Sequence, residues 1–151
     1  MKTSENGLKI IKQFEGLRLT AYRDVAGIWT IGYGSCYLAN GKHVQAGDKL
    51  SDESQADLLI RQTLGQYEDA VNHDVHITLN QNQFDALVSF TYNEGTGALY
   101  GSTLLKLLNQ GDYKGAASHF ADWNKVTIDG KHVVNEDLTE RRAEEAKLFL
   151  S

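Results

Sequence analysis

The 151-residue chain contains no proline and only one cysteine. Without proline, the breaks between elements fall to glycine, of which there are 14, and to Asn and Asp at turns. A single cysteine, Cys36, excludes an intrachain disulfide and any zinc site built from several thiolates. A basic excess is missing too, since 15 Lys and Arg stand against 20 Asp and Glu, for a net charge of −5. Such a chain has no field to hold nucleic acid or anionic lipid, so neither is expected as a partner. Long apolar runs are absent, and nothing approaches the roughly 20 apolar residues of a membrane span. The opening "MKTSENGLKIIKQF" has neither the apolar stretch nor the small-residue cleavage site of a secretory signal. A protein without stable membrane insertion, made and left in the cytoplasm, is expected.

What is present reads as an α+β domain with no repeats, low-complexity tracts or long linkers. Residues 3–15 predict a helix, capped by Thr3 or Ser4, with Gly7, Ile10, Ile11 and Phe14 on one face and Gly16 as its stop. From Leu17 to Gly34, β-branched and aromatic residues flank a "DVAG" turn and predict a hairpin, and Asn40-Gly41 predicts a second tight hairpin. A long helix follows, with Ser51 as cap and a stripe of Leu58, Leu59, Leu64 and Val71. Further helices are predicted at about 80–93, 103–110 after Ser102, 113–123 after Asp112, and 139–150 with Thr139 as cap. Asp129-Gly130 adds one more turn. The picture is a small antiparallel β lobe at about 17–50, then a helical lobe at about 72–151 that includes the first helix. A cleft between lobes is where a site is expected.

Within "FEGLRLTAYRDVAGIWTIGYG", eight residues separate Glu15 from Asp24 and five separate Asp24 from Thr30. If the hairpin loop is Val25-Ala26-Gly27, Asp24 pairs with Ile28 and Tyr22 with Thr30. Asp24 and Thr30 then share a face as diagonal neighbours, about 7–8 Å apart, with room for one water between carboxylate and hydroxyl. One residue more or fewer in the loop would turn Thr30 to the other face. Glu15 ends the first helix, where the helix dipole disfavours a charged carboxylate, which suits a group that must deliver a proton. Arg18, Arg141 and Arg142 are cations that could oppose this. Two carboxylates with room for a water are the requirements of inverting glycoside hydrolysis. Surface carboxylates are common, and the spacing alone leaves a solvated pair as the simpler reading.

The segment "EGLRLTAYRDVAGIWTIGYG" resembles the phage-type lysozymes, the endolysins of glycoside hydrolase family 24, whose signature is a Glu, eight residues, an Asp, five residues and a Thr in a "TIGYG"-like strand. The resemblance extends through "QNQFDALVSFTYNEGTGAL", "STLLKLLNQGDYKGAASHFADWNK" and "RRAEEAKLFL". It implies a single lysozyme-like domain over residues 1–151 that cleaves the β-1,4 bond between N-acetylmuramic acid and N-acetylglucosamine in peptidoglycan, for host cell lysis. Glu15 would protonate the leaving oxygen, while Asp24 with Thr30 would hold the attacking water, without metal or cofactor. Tyr92, Asn93 and Thr103 would contact sugar, and Arg141, or else Arg142, would pair with the catalytic Glu. The enzyme would act as a monomer and reach the wall from the host cytoplasm through a lesion made by a holin-type protein. Two departures stand out. Ser35 occupies the position after "GYG" where many members have His, and this chain is acidic where many are basic. A non-catalytic peptidoglycan-binding module and a lytic transglycosylase are the rival readings.

Other features have plainer explanations. "GYGS" lacks the third glycine of a dinucleotide fingerprint, since Tyr37 stands there. His73 and His76 lack a third metal ligand and read as a solvated helix end. Cys36 reads as a small, partly buried filler, Trp29 and Trp123 as core, and "ERRAEE" as a solvated helix face with one Arg excepted.

Overall fold

The computed structural model describes residues 1–151 and divides into two compact units, Ile11–Gln66 and Met1–Ile10 with Tyr67–Ser151. Helix α1 runs over Glu5–Glu15 and ends at Gly16, which takes φ +73. Ser4 precedes it and accepts a long bond from the Gly7 amide, 3.5 Å.

In the Ile11–Gln66 unit, strands β1 (Arg18–Arg23) and β2 (Trp29–Gly32) form an antiparallel hairpin with Tyr22 opposite Thr30 and Arg23 opposite Trp29. The Asp24 amide donates to Ile28 O at 2.9 Å, so the loop is Val25-Ala26-Gly27, the three residues the spacing requires. Gly27 adopts φ +80, a conformation a side chain would strain. The ladder is irregular between Arg18 and Tyr22, and there β1 turns to residues 48–50, with Leu50 N donating to Leu19 O and Ala21 N to Asp48 O. Asn40-Gly41 closes a turn in which Leu38 N donates to Lys42 O and Tyr37 bridges His43. Ile31, Val44 and Leu59 form the core here, with Ala21, Trp29, Leu38 and Leu50 packed on it.

The expected long helix is two segments, α2 (Glu53–Thr63) and α3 (Gly65–Asp74), which meet at Leu64 beside Gly65, a weak helix former. Its cap is Asp52, whose carboxylate accepts from Gln55 N, and not Ser51. Of the expected stripe, Leu59, Leu64 and Val71 are buried and Leu58 is 69% exposed; Ala56, Ile60 and Glu68 complete the buried face.

In the other unit α4 (Gln81–Glu94) is capped by a reciprocal Asn80–Gln83 box and is buried on all sides from Phe84 to Thr91. Gly7 packs so closely here that a Cβ would fall 2.7 Å from Asp85 Cγ and 2.8 Å from Asp85 Cβ and Thr3 Cγ2. Thus Gly7 belongs to the apolar face of α1 because of what it lacks. Short helices α5 (Thr96–Gly101), α6 (Thr103–Asn109) and α7 (Tyr113–Ser118) follow, the last ending in a 3₁₀ turn at Phe120–Asp122 where a helix to 123 was expected. Around Asp129-Gly130 stands a second hairpin, β3 (Lys125–Ile128) and β4 (Lys131–Val134). Helix α8 spans Glu136–Phe149 and begins three residues before its expected start, because Asn135 and not Thr139 caps it, accepting from Leu138 N. It packs on α4, with Phe90, Phe120, Trp123 and Phe149 meeting edge to face.

Candidate active site

Glu15, Asp24 and Thr30 all lie in the Ile11–Gln66 unit. Glu15 is the last residue of α1 and is half-buried. Asp24 leaves the end of β1, and its Oδ1 accepts from the amides of Ala26 and Ile28, both at 2.9 Å. Those two bonds hold the carboxylate in one orientation and leave Oδ2 for other partners. Thr30, buried in β2, donates its hydroxyl proton to Ile28 O at 2.9 Å, so its oxygen remains able to accept.

The register adds two groups that spacing did not single out. Tyr22, opposite Thr30, is on the face of Asp24, and its phenol is held above its usual range by burial first and then by the carboxylates of Glu15 and Asp24, with Arg18 opposing. The Tyr22 phenol therefore senses both acids. The Cys36 thiol is likewise pushed up by burial; a hydrogen bond with the Thr30 hydroxyl pulls the other way and Asp24 adds to the rise. It stays a neutral thiol of low reactivity, as a partly buried filler should. Tyr22 could have been found from the same pairing that placed Thr30. Ser35 is fully buried, and its hydroxyl is 2.8 Å from that of Thr63 in α2, so the residue in place of histidine serves as an uncharged tie within this unit.

Tyr92, Asn93, Thr103 and Arg141 lie in the other unit. Tyr92 meets Tyr67 edge to face at 5.1 Å, and Thr103 is the exposed first residue of α6. Asn93 accepts from Arg142 Nη2 at 2.6 Å. The "ERRAEE" segment is a solvated face only at Glu140, Ala143 and in part Glu144. Arg141, Arg142 and Glu145 are buried, with Glu145 Oε1 2.8 Å from Arg142 Nε and Glu145 Oε2 accepting from Ser89 Oγ at 2.5 Å and Arg141 Nε at 3.4 Å. Charged side chains form the buried stripe of α8 because they neutralise one another there. Trp29 and Trp123 are half-buried, packed on the Ile31 cluster and on Phe90. No group of three His, Cys, Asp or Glu could hold a metal ion, and His73 pairs with Asp74 at an exposed helix end.

A family model described as phage lysozyme matches residues 12–145. An endolysin of Acyrthosiphon pisum secondary endosymbiont phage 1 is 42% identical over all of this chain and 99% of its own length. Among solved structures, an endolysin from Escherichia coli O157:H7 phage FAHEc1 superposes with a TM-score of 0.93 and 44% identity, over 100% of this chain and 94% of that one. The muramidase domain of SpmX from Asticaccaulis excentricus superposes with a TM-score of 0.90 and 39% identity, over 99% and 98% of the two chains.

Proposed function

The chain belongs to the phage lysozyme family, and from that premise we propose how its residues hydrolyse the β-1,4 bond between N-acetylmuramic acid and N-acetylglucosamine in peptidoglycan. Glu15 is the general acid that protonates the leaving glycosidic oxygen. Asp24 and Thr30 bind the nucleophilic water. The single observation that carries this is the hairpin register, with Tyr22 opposite Thr30 and Asp24 Oδ1 tied into the turn.

The chemistry follows from the hydrogen-bond inventory. The hydroxyl proton of Thr30 is already given to Ile28 O, so toward water Thr30 can only accept. A water donating one proton to Asp24 Oδ2 and the other to Thr30 Oγ1 has a lone pair left for the anomeric carbon. As that bond forms, Asp24 takes the proton and the product emerges with inverted configuration, with no covalent enzyme intermediate. Tyr92, Asn93 and Thr103 supply sugar contacts. The protein acts as a monomer on the host wall during lysis, released from the host cytoplasm by a holin-type partner; no helix is long and apolar enough to cross a membrane.

Reducing-end release from purified peptidoglycan tests the assignment. Glu15→Gln is expected to fall at least about 100-fold below wild type, the usual contribution of a general acid, with an unchanged thermal midpoint. Asp24→Asn is expected to lose most of its activity. Proton NMR of fresh products should show the inverted anomer. Clearing by Glu15→Gln at the wild-type rate would sink the mechanism, and anhydro-muramic ends would point to transglycosylation.

A further inference from the structure

Arg18 begins β1 opposite Gly32, is exposed, and makes no ion pair. Its guanidinium lies 4.4 Å from the centroid of the Tyr22 ring. Because Tyr22 faces Thr30 and shares its side of the strand with Asp24, that stacking places Arg18 on the face of the proposed water site. Arg23 is arranged differently. It stacks at 5.0 Å on Trp29, whose ring packs on the Ile31 cluster of the opposite face.

Charge gives Arg18 a task. The Ile11–Gln66 unit holds six basic and six acidic residues, so the net −5 of the chain resides in the other unit. Yet Glu15 and Asp24 on the hairpin side of this neutral unit would repel a substrate whose stem peptides carry free carboxylates. An exposed cation on the same face offsets that repulsion. A guanidinium also presents a planar fork that matches a carboxylate in two parallel hydrogen bonds. Stacked on an aromatic ring, it covers its weakly hydrated face and keeps its N–H edges outward. The side chain is thereby held in position before substrate arrives, which lowers the entropy lost on binding.

We propose that Arg18, held over the ring of Tyr22, is a carboxylate-binding position for the substrate, taking a free carboxylate of the peptide-bearing glycan strand. The assignment rests on peptidoglycan being the substrate and names the chemical group that the hairpin recognises there.

Purified peptidoglycan is prepared in two forms, native and with its free carboxylates converted to amides by carbodiimide and ammonia. Wild type is expected to release reducing ends about fivefold more slowly from amidated wall at subsaturating substrate, the loss of one exposed charge pair. Arg18→Gln is expected to be slower on native wall by a similar factor, through KM, and to treat the two walls alike. Arg18→Lys, which keeps the charge without the fork, should fall between. An Arg18→Gln variant that retains the full preference for native wall overturns the proposal. Co-sedimentation with native and amidated wall provides a readout independent of hydrolysis. Absence of reducing ends from wild type on both walls would count against the hydrolase reading alone, and loss of the native-wall preference in sedimentation of Arg18→Gln would still support the carboxylate contact.

Discussion

Arg142 is the residue on which most buried charge converges. It is 1% exposed, yet meets Glu94 at 3.1 Å, Glu145 at 2.8 Å and the Asn93 amide oxygen at 2.6 Å, with its guanidinium 5.2 Å from the Phe90 ring centroid. Its partner Glu94 sits at the end of α4, and burial holds its carboxyl above the usual range even though Arg142 and Arg141 oppose the shift. A carboxyl raised in the folded state contributes stability below its unfolded value and loses that contribution as pH climbs through the folded value. Glu94→Gln has no such dependence. Thermal midpoints of wild type relative to Glu94→Gln should therefore decline as pH rises above the ordinary carboxylate range, and a constant difference would contradict it. None of this was legible in "ERRAEE". At that composition, i,i+4 pairing on a wet surface and a neutralised buried stripe have the same spacing, and only the neighbours Ser89, Asn93 and Glu94 distinguish them. That Asp24 and Thr30 share one face of the hairpin was legible because a strand alternates faces strictly, so that the loop length alone decides the register.

At the scale of elements, caps decide the boundaries. The Asn80–Gln83 box closes the start of α4, the helix most deeply buried in its unit. Asn80→Ala is expected to cost about 1 kcal/mol, read as a lower urea midpoint with an unchanged slope. Where two capping residues stand close together, sequence order misleads. Ser51 yields to its neighbour Asp52, and Thr139 lies one turn inside α8 with its hydroxyl bonded back to Asn135 O. In the β3–β4 hairpin the Asp129-Gly130 turn was legible and the strands were not, for another reason. Its side chains are nearly all exposed, so there is no alternation of apolar and polar residues to follow, although the Asp-Gly between "KVTI" and "KHVV" was a usable sign. Helix α5 is six residues with a glycine at its end, too short for periodicity to show.

At the scale of the molecule, the first ten residues belong with the last eighty-five. They are tied in by carboxylates. Thr3 N and Oγ1 donate to Glu68 Oε2 at 2.6 and 2.7 Å, Ser4 N donates to Asp85 Oδ1 at 3.0 Å, and the Ser4 hydroxyl bonds the other oxygen of Asp85. Asp85→Ala leaves a backbone donor without its acceptor and is expected to destabilise the fold by about 1–3 kcal/mol. Chemical denaturation should show that loss, whereas Lys131→Ala in the exposed hairpin should shift stability by less than about 0.5 kcal/mol. Composition and helix pattern pointed to an α+β chain, and family resemblance extended that to a lysozyme. The ties between segments 65 and 81 residues apart left no local trace, because Thr3, Ser4, Glu68 and Asp85 are each ordinary where they stand.

Cys36 has a practical consequence for following the molecule in motion. It is the one thiol in the chain, it is half-buried, and its ionisation senses Thr30 and Asp24 on the proposed catalytic hairpin. A thiol-specific fluorophore or trifluoromethyl tag therefore attaches at a single address without engineering. Since a closed hairpin shields the sulfur and keeps it protonated, the rate of tagging counts how often this segment opens. Slower tagging with glycan fragments present would then be a clock for substrate closing the hairpin, readable in a variant that cannot cleave.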